Sequence, residues 1–214
     1  MNAIITKTYT PPPFSEKKAL RYAGCKAADE ETIKLLRSCI AEAEDKLTYS
    51  ICYGEFPLSI NDDRCDFGVF SVQSSYLAKN LSDSDSVLIF AATVGVGIDR
   101  LIAKYGRISP TRSVMMDALG GERVEALCDE FCEDFALGNN VSLKPRFSPG
   151  FGDLSLSTQR DIFAVLDCPR KIGLSLNDSL LMSPAKSVTA FVGIVIKSSQ
   201  SEVDGIAGQN SQSE

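Results

Sequence analysis

Apolar residues recur along the chain at two periods, and the switch between them marks out its elements. From Asp29 to Leu47 the apolar positions Ile33, Leu36, Ile40, Ala43 and Leu47 fall three or four residues apart, the spacing of one helix face. An acidic first turn (Asp29, Glu30, Glu31) suits the positive end of that helix dipole. The following segment, Leu47 to Tyr53, is rich in β-branched and aromatic residues and reads as a strand. A short helix is predicted over Ser75 to Asn80, ahead of the polar turn SDSDS. Val87 to Val94 (VLIFAATV) is a continuous apolar run, the signature of a strand buried on both faces. It leads through Gly95 and Gly97 into the helical pattern Ile98, Leu101, Ile102, Tyr105.

Ser109 and Pro110 open a long helix that runs to about Leu137. Its stripe includes Val114, Met115, Ala118, Val124, Leu127, Cys128, Phe131, Cys132 and Phe135. Gly120-Gly121 interrupts it at a cost of roughly 1 kcal/mol per glycine relative to alanine. The pair therefore predicts a kink or the close approach of another backbone. Gly138-Asn139-Asn140 is a helix stop. Val141 to Arg146 reads as a strand, Ser157 as the cap of a helix to Leu166, and Ile172–Leu176 and Ser187–Lys197 as two further strands.

At the start, residues 1–14 carry three consecutive prolines and read as an extended arm. At the end, residues 198–214 have little to bury and are expected to be disordered. Between them, residues 15–197 show no regular βαβ alternation, and strands cluster toward the C-terminal side. That pattern predicts an α+β domain: a mainly antiparallel twisted sheet with flanking helices.

Composition narrows the function more than the fold. Hydrophobic residues make up 44% and charged residues 23% of 214, the balance of a soluble globular protein. The net charge of −6 and the lack of a basic stripe argue against nucleic acid. No apolar stretch is long enough to span a bilayer, and the N-terminus lacks a signal-peptide core. Seven scattered cysteines without a Cys-x-x-Cys pair point to reduced thiols and a cytoplasmic location. Histidine is absent, which removes Ser–His and Cys–His nucleophilic pairs and His-ligated metals. Cys128 and Cys132 lie one helical turn apart and could chelate a metal, but without a second ligand pair they read as small apolar residues of a buried stripe.

Two glycine segments carry candidate chemistry. Gly95-Val96-Gly97 resembles half of a dinucleotide fingerprint, but Arg100 occupies the place of the third glycine, which favours a tight strand-to-helix turn. The stretch Arg146 to Asp153 (RFSPGFGD) is richer. Arg146 offers a planar fork suited to a carboxylate. Pro149-Gly150 fixes one turn residue and frees the next, so that backbone groups can face a ligand. Phe151 offers a flat apolar face. The same loop reads equally as a structural turn with Phe151 in the core. Glu125 follows the Gly120-Gly121 break on the long helix, where it is either a ligand contact or a solvated residue.

The order Arg146, Pro149, Gly150, Phe151, then a helix after Ser157, then Ser179, Met182, Pro184, Ser187 and Val188 resembles the activation domain of cobalamin-dependent methionine synthase. Asp117-Ala118-Leu119 with Arg123 and Glu125 is similar to the long helix of that family. The resemblance covers about Thr93 to Ile194. It implies S-adenosylmethionine as ligand, with Arg146, Phe151 and Glu125 at the ligand-binding positions and Pro149 and Gly150 in the loop around the adenosine. Arg146 would meet the methionine carboxylate, and Glu125 the ammonium or the sulfonium. The family tyrosine is replaced by Phe151. The resemblance also implies a role in reductive methylation of cobalamin that is carried by a separate methionine synthase, acted on in trans. The chain would be a component of that methyltransferase system in methionine biosynthesis, with a flavodoxin-like electron donor. Methyl transfer moves no proton, so the missing histidine is no obstacle. Two alternatives remain open: a docking or regulatory module that has lost the ligand, and reactivation of a different corrinoid methyltransferase.

Overall fold

The computed structural model describes residues 3–25 and 27–197; the expected disorder of 198–214 lies outside them. In chain order the first elements are β1 (Ile5–Thr8), α1 (Glu16–Tyr22), α2 (Glu30–Ala43), β2 (Ser50–Pro57), β3 (Ser59–Asn61), β4 (Arg64–Asp66) and β5 (Ser71–Gln73). Next come α3 (Ser75–Leu81), β6 (Ser86–Thr93), α4 (Gly97–Ile108), α5 (Pro110–Asn139) and β7 (Val141–Leu143). The last are α6 (Thr158–Leu166), α7 (Cys168–Ile172), β8 (Ser175–Leu176), β9 (Met182–Ser183) and β10 (Ser187–Ile196).

The frame is a five-stranded sheet in the order β1-β2-β6-β10-β7, antiparallel at every pairing. The α+β reading is thus the observed one. Strand β6 sits at its centre and is buried from Val87 onward, as its apolar run demands. Alternation along β6 splits the core in two. Leu88, Phe90 and Ala92 face α2, α4 and α5 with Met116, Leu127 and Phe131. Val87, Ile89 and Ala91 face α3, α6 and α7 with Leu77, Ile162 and Cys168. A three-stranded sheet, β3-β4-β5, covers the second core through Cys65, with Phe67 added from the β4–β5 connection.

Helix α5 runs unbroken through Gly120-Gly121 for 30 residues, so the pair does not end the helix. What comes nearest to Gly120 is side chain: a Cβ there would lie 2.8 Å from that of Lys186 and 3.0 Å from that of Ile98. Asn140 closes the helix in the left-handed conformation, φ 53°.

Three other expectations need correction. The predicted strand over 172–176 is shorter than expected: Ile172 ends α7, Gly173 follows in the left-handed region, and only Ser175–Leu176 forms β8. The strand from Val141 ends at Leu143, and Arg146 follows it in a loop. Ser157 makes no capping hydrogen bond to α6; its hydroxyl pairs with that of Ser155 at 2.7 Å.

Gly95 and Gly97 form a packed turn. A Cβ would lie 2.3 Å from Thr48 Oγ1 at the first and 2.0 Å from the Lys46 carbonyl oxygen at the second. Within the N-terminal arm, Ile5–Thr8 pairs with β2 as an edge strand. Further along, the carbonyls of Pro12 and Pro13 accept from Arg123 at 2.7 and 2.9 Å. Arg123 and its partner Glu122 are 4% and 1% exposed, and Glu122 also accepts from the Ser15 amide. A buried ion pair therefore fastens the arm to α5. All seven cysteines are free thiols. Among the described residues no helix is long and apolar enough to cross a membrane.

Candidate functional site

The Arg146–Asp153 loop leaves the sheet at one point. Phe147 and Phe191 exchange backbone hydrogen bonds of 2.9 and 2.8 Å, which pin the residue after Arg146 to β10. From there the Arg146 guanidinium reaches α5 and donates to Oε2 of Glu125 at 2.8 Å and to Oδ1 of Asp129 at 2.7 Å. Glu125 and Asp129 stand one helical turn apart, so one planar fork spans both. Lys18 of α1 takes the other oxygen of Asp129 at 3.2 Å. Burial opposes the charge on Arg146, but the neighbouring Cys128 sulfur and the two carboxylates reverse that and hold its pKa above the ordinary value. Burial likewise works against the Asp129 carboxylate, yet Arg146 and Lys18 keep its pKa below the usual one.

The rest of the loop is held by its own bonds. Gly150, at φ 93°, donates its amide to Leu154 O at 2.9 Å, and the Phe151 amide bonds Ser148 O at 3.2 Å. Those two amides shape the turn rather than face outward. Pro149 is buried and Gly150 exposed. Gly152 gives room to Tyr76, whose Cγ would lie 2.9 Å from a Cβ there. Asp153 then accepts from the Ser75 amide and hydroxyl, each at 2.7 Å, and from the Ser74 hydroxyl. Those bonds hold its carboxyl well below the usual range and anchor the loop on the first turn of α3. Phe151 itself is 66% exposed, so it does not belong to the core.

Between α5, this loop, α6 and the start of β10 lies an open groove of about 800 Å³, a size typical of small-molecule sites. Glu125, Arg146, Pro149 and Phe151 line it together with Met182, Ser187 and Val188 from the second segment. Of the other residues in that segment, neither Pro184 nor Ser179 is in the lining: Pro184 is buried and its carbonyl accepts from the Ser187 hydroxyl at 2.8 Å, whereas Ser179 is exposed. Cys132 reaches the groove wall, and burial raises its thiol pKa. Among the described residues no group of three or more His, Cys, Asp or Glu side chains is placed to hold a metal ion.

Two residues, one behind Arg146 and one in the groove lining, are not apparent from the motifs. Asp129 completes the Arg146 fork, and its spacing of four from Glu125 is the signal in the sequence. Gln159 lies on α6, 6% exposed, and its Oε1 has no hydrogen-bond partner. A polar residue amid the apolar positions of a short helix carries little signal by itself.

No family model matches the chain, and no curated protein matches it in sequence. Among solved structures it is similar to a crystal structure of the MetH reactivation domain bound to AdoHcy. The TM-score is 0.69 at 15% identity, over 89% of this chain and 78% of that one. The fold of the chain is that of this reactivation domain.

Proposed function

We propose that the groove binds S-adenosylmethionine and that the chain supports reductive methylation of cobalamin held by a separate methionine synthase. One observation carries the reading. Arg146, Pro149 and Phe151 share a single groove with Met182, Ser187 and Val188, inside the fold of a domain whose solved relative holds AdoHcy.

The residues present fit the ligand. A guanidinium has donors beyond the two that Glu125 and Asp129 occupy, so Arg146 can take a ligand carboxylate and keep its own pairs. The two carboxylates then stand beside the ammonium and the sulfonium, and favour a cationic methyl donor. Phe147, Phe151 and Met182 offer apolar surface to the adenosine. The partner's cobalamin would supply the nucleophile that takes the methyl group, and a flavodoxin-like protein the electron. What this chain contributes is the position of the sulfonium, a task that needs no general base.

Calorimetry tests the ligand. Wild type should give saturable heat with S-adenosylmethionine, and Arg146→Ala should weaken or abolish it. No saturable heat from wild type, alone or with the corrinoid protein, overturns the reading. Return of activity to an oxidised cobalamin methionine synthase on addition of the chain tests the role.

A second reading, a docking module without ligand, is favoured by the fact that Arg146 is already paired on two sides. Co-migration with the corrinoid protein that is indifferent to S-adenosylmethionine and to changes at Arg146 would support it.

A further inference from the structure

Away from the groove, the turn from β6 into α4 borders a second cavity, of about 610 Å³. Arg100 and Lys104 line it from α4, Val96 from the turn, and Lys46 from the connection between α2 and β2. None of these residues lines the first groove.

The lining gathers three cations in a chain whose net charge is −6. Arg100 and Lys104 stand one turn apart on the same helix face, a like-charge spacing that destabilises a helix. The carboxylate in the lining, Glu42, does not relieve it. Its Oε1 accepts from Lys104 at 3.0 Å and from the Tyr105 hydroxyl at 2.8 Å, and its Oε2 from Arg112 at 2.7 Å. Lys46 is paired with its exposed chain neighbour Asp45. Among the described residues, Arg100 makes no side-chain hydrogen bond or ion pair. A concave site lined by one sign of charge focuses its field, so this excess is open to an anion from outside the chain.

We propose that this second cavity binds a pyrophosphate group. One guanidinium and two ammonium groups meet phosphoryl oxygens through charge-assisted bonds. A single carboxylate carries too little charge to answer three cations, whereas a pyrophosphate spreads several negative charges over its terminal oxygens. Gly97, the first residue of α4, brings the positive end of the helix dipole into the same lining. Val96, 44% exposed, and Leu101 add apolar surface beside the cations, where an organic body attached to the pyrophosphate can lie.

Calorimetric titration with inorganic pyrophosphate tests the site, with uridine diphosphate as the organic probe. Salt is held at about 0.1 M, where charges more than about 10 Å apart are largely screened. Wild type should bind pyrophosphate saturably. Arg100→Gln should weaken binding about tenfold or more, the scale of one charge-assisted bond. Arg100 is exposed, so that variant should keep the wild-type melting profile, and Lys46→Gln should show a similar loss. Arg107→Gln removes the same charge from α4 outside the lining, and should leave the affinity within about twofold. Tighter binding of uridine diphosphate assigns the site to an organic diphosphate, and the reverse order to free pyrophosphate. No saturable binding by wild type, or equal losses in Arg100→Gln and Arg107→Gln, overturns the proposal. Displacement of the pyrophosphate by S-adenosylhomocysteine overturns it too, because the anion would then lie in the first groove.

Discussion

Arg146 and Glu125, 21 residues apart in the chain, meet through an ion pair of 2.8 Å in the wall of the groove. Both are only partly exposed, at 25% and 38% of their side chains, so each orients the other as well as facing a ligand. Glu125→Gln should therefore weaken S-adenosylmethionine binding by roughly 10- to 100-fold, the loss of one charge-assisted bond. Arg146→Ala should cost at least as much. The double variant should fall short of the sum, because the two residues act as one unit. Calorimetric titration of the three variants checks this.

Acid should loosen the support behind Arg146. The Asp129 carboxyl has a folded pKa below its ordinary 3.8, with burial opposing and the Arg146 bond outweighing it. The stability it confers is complete above the unfolded value and disappears as pH falls through the lower, folded one. Its side chain is 42% exposed, so screening keeps the effect below about 1 kcal/mol. Urea midpoints of wild type and Asp129→Asn should differ steadily from about pH 7 down to about pH 5, and converge in stronger acid.

The elements that surround the groove are legible in the sequence where one local signal decides them. Ser109-Pro110 and Asn140 bound α5, and the run from Val87 fills a strand that is buried on both faces. What escapes the sequence depends on partners far along the chain. The turn at Gly120-Gly121 looks like a break, yet the Lys186 and Ile98 side chains occupy the space a methyl would need. The strand expected over 172–176 is cut short because α7, opened by Pro169 and closed by Gly173, takes Ile172 and leaves only Ser175–Leu176 to pair. Arg146 and Phe151 can be singled out from their loop. The use of Asp129 to complete the fork follows only from how the loop that carries Arg146 packs on α5.

Gly97 is a test of packing against chemistry. A methyl there would lie 2.0 Å from the Lys46 carbonyl oxygen, a backbone atom with little freedom to retreat. Gly97→Ala should destabilise the protein by about 2 kcal/mol or more, measured by chemical denaturation. A variant of unchanged stability would mean that the glycine serves something other than the turn.

The arm depends on Arg123. Its guanidinium pairs with Glu122, caps the carbonyls of Pro12 and Pro13, and lies 4.9 Å from the centre of the Phe14 ring. Arg123→Ala leaves the Glu122 carboxylate buried without its partner, and should cost about 3–5 kcal/mol. Replacing both at once, Arg123→Met with Glu122→Leu, should cost less, because no charge is then stranded. Urea unfolding of the single and double variants measures the difference. Limited proteolysis should release the arm first in Arg123→Ala.

Phe151 has a ring that is 66% exposed at the mouth of the groove, where the methionine synthase resemblance expects a tyrosine. A hydroxyl added there would meet water or ligand, not the core, so Phe151→Tyr should change stability by no more than about 0.5 kcal/mol. Its effect should appear in binding. One new neutral hydrogen bond contributes roughly 0.5–1.5 kcal/mol, which corresponds to S-adenosylmethionine binding about 2- to 10-fold more tightly. Unchanged affinity would mean that the position serves the ligand only through its apolar face. Weaker affinity would mean that the ring packs against the bound ligand too closely to admit an oxygen. Titration of wild type and Phe151→Tyr side by side separates the three outcomes.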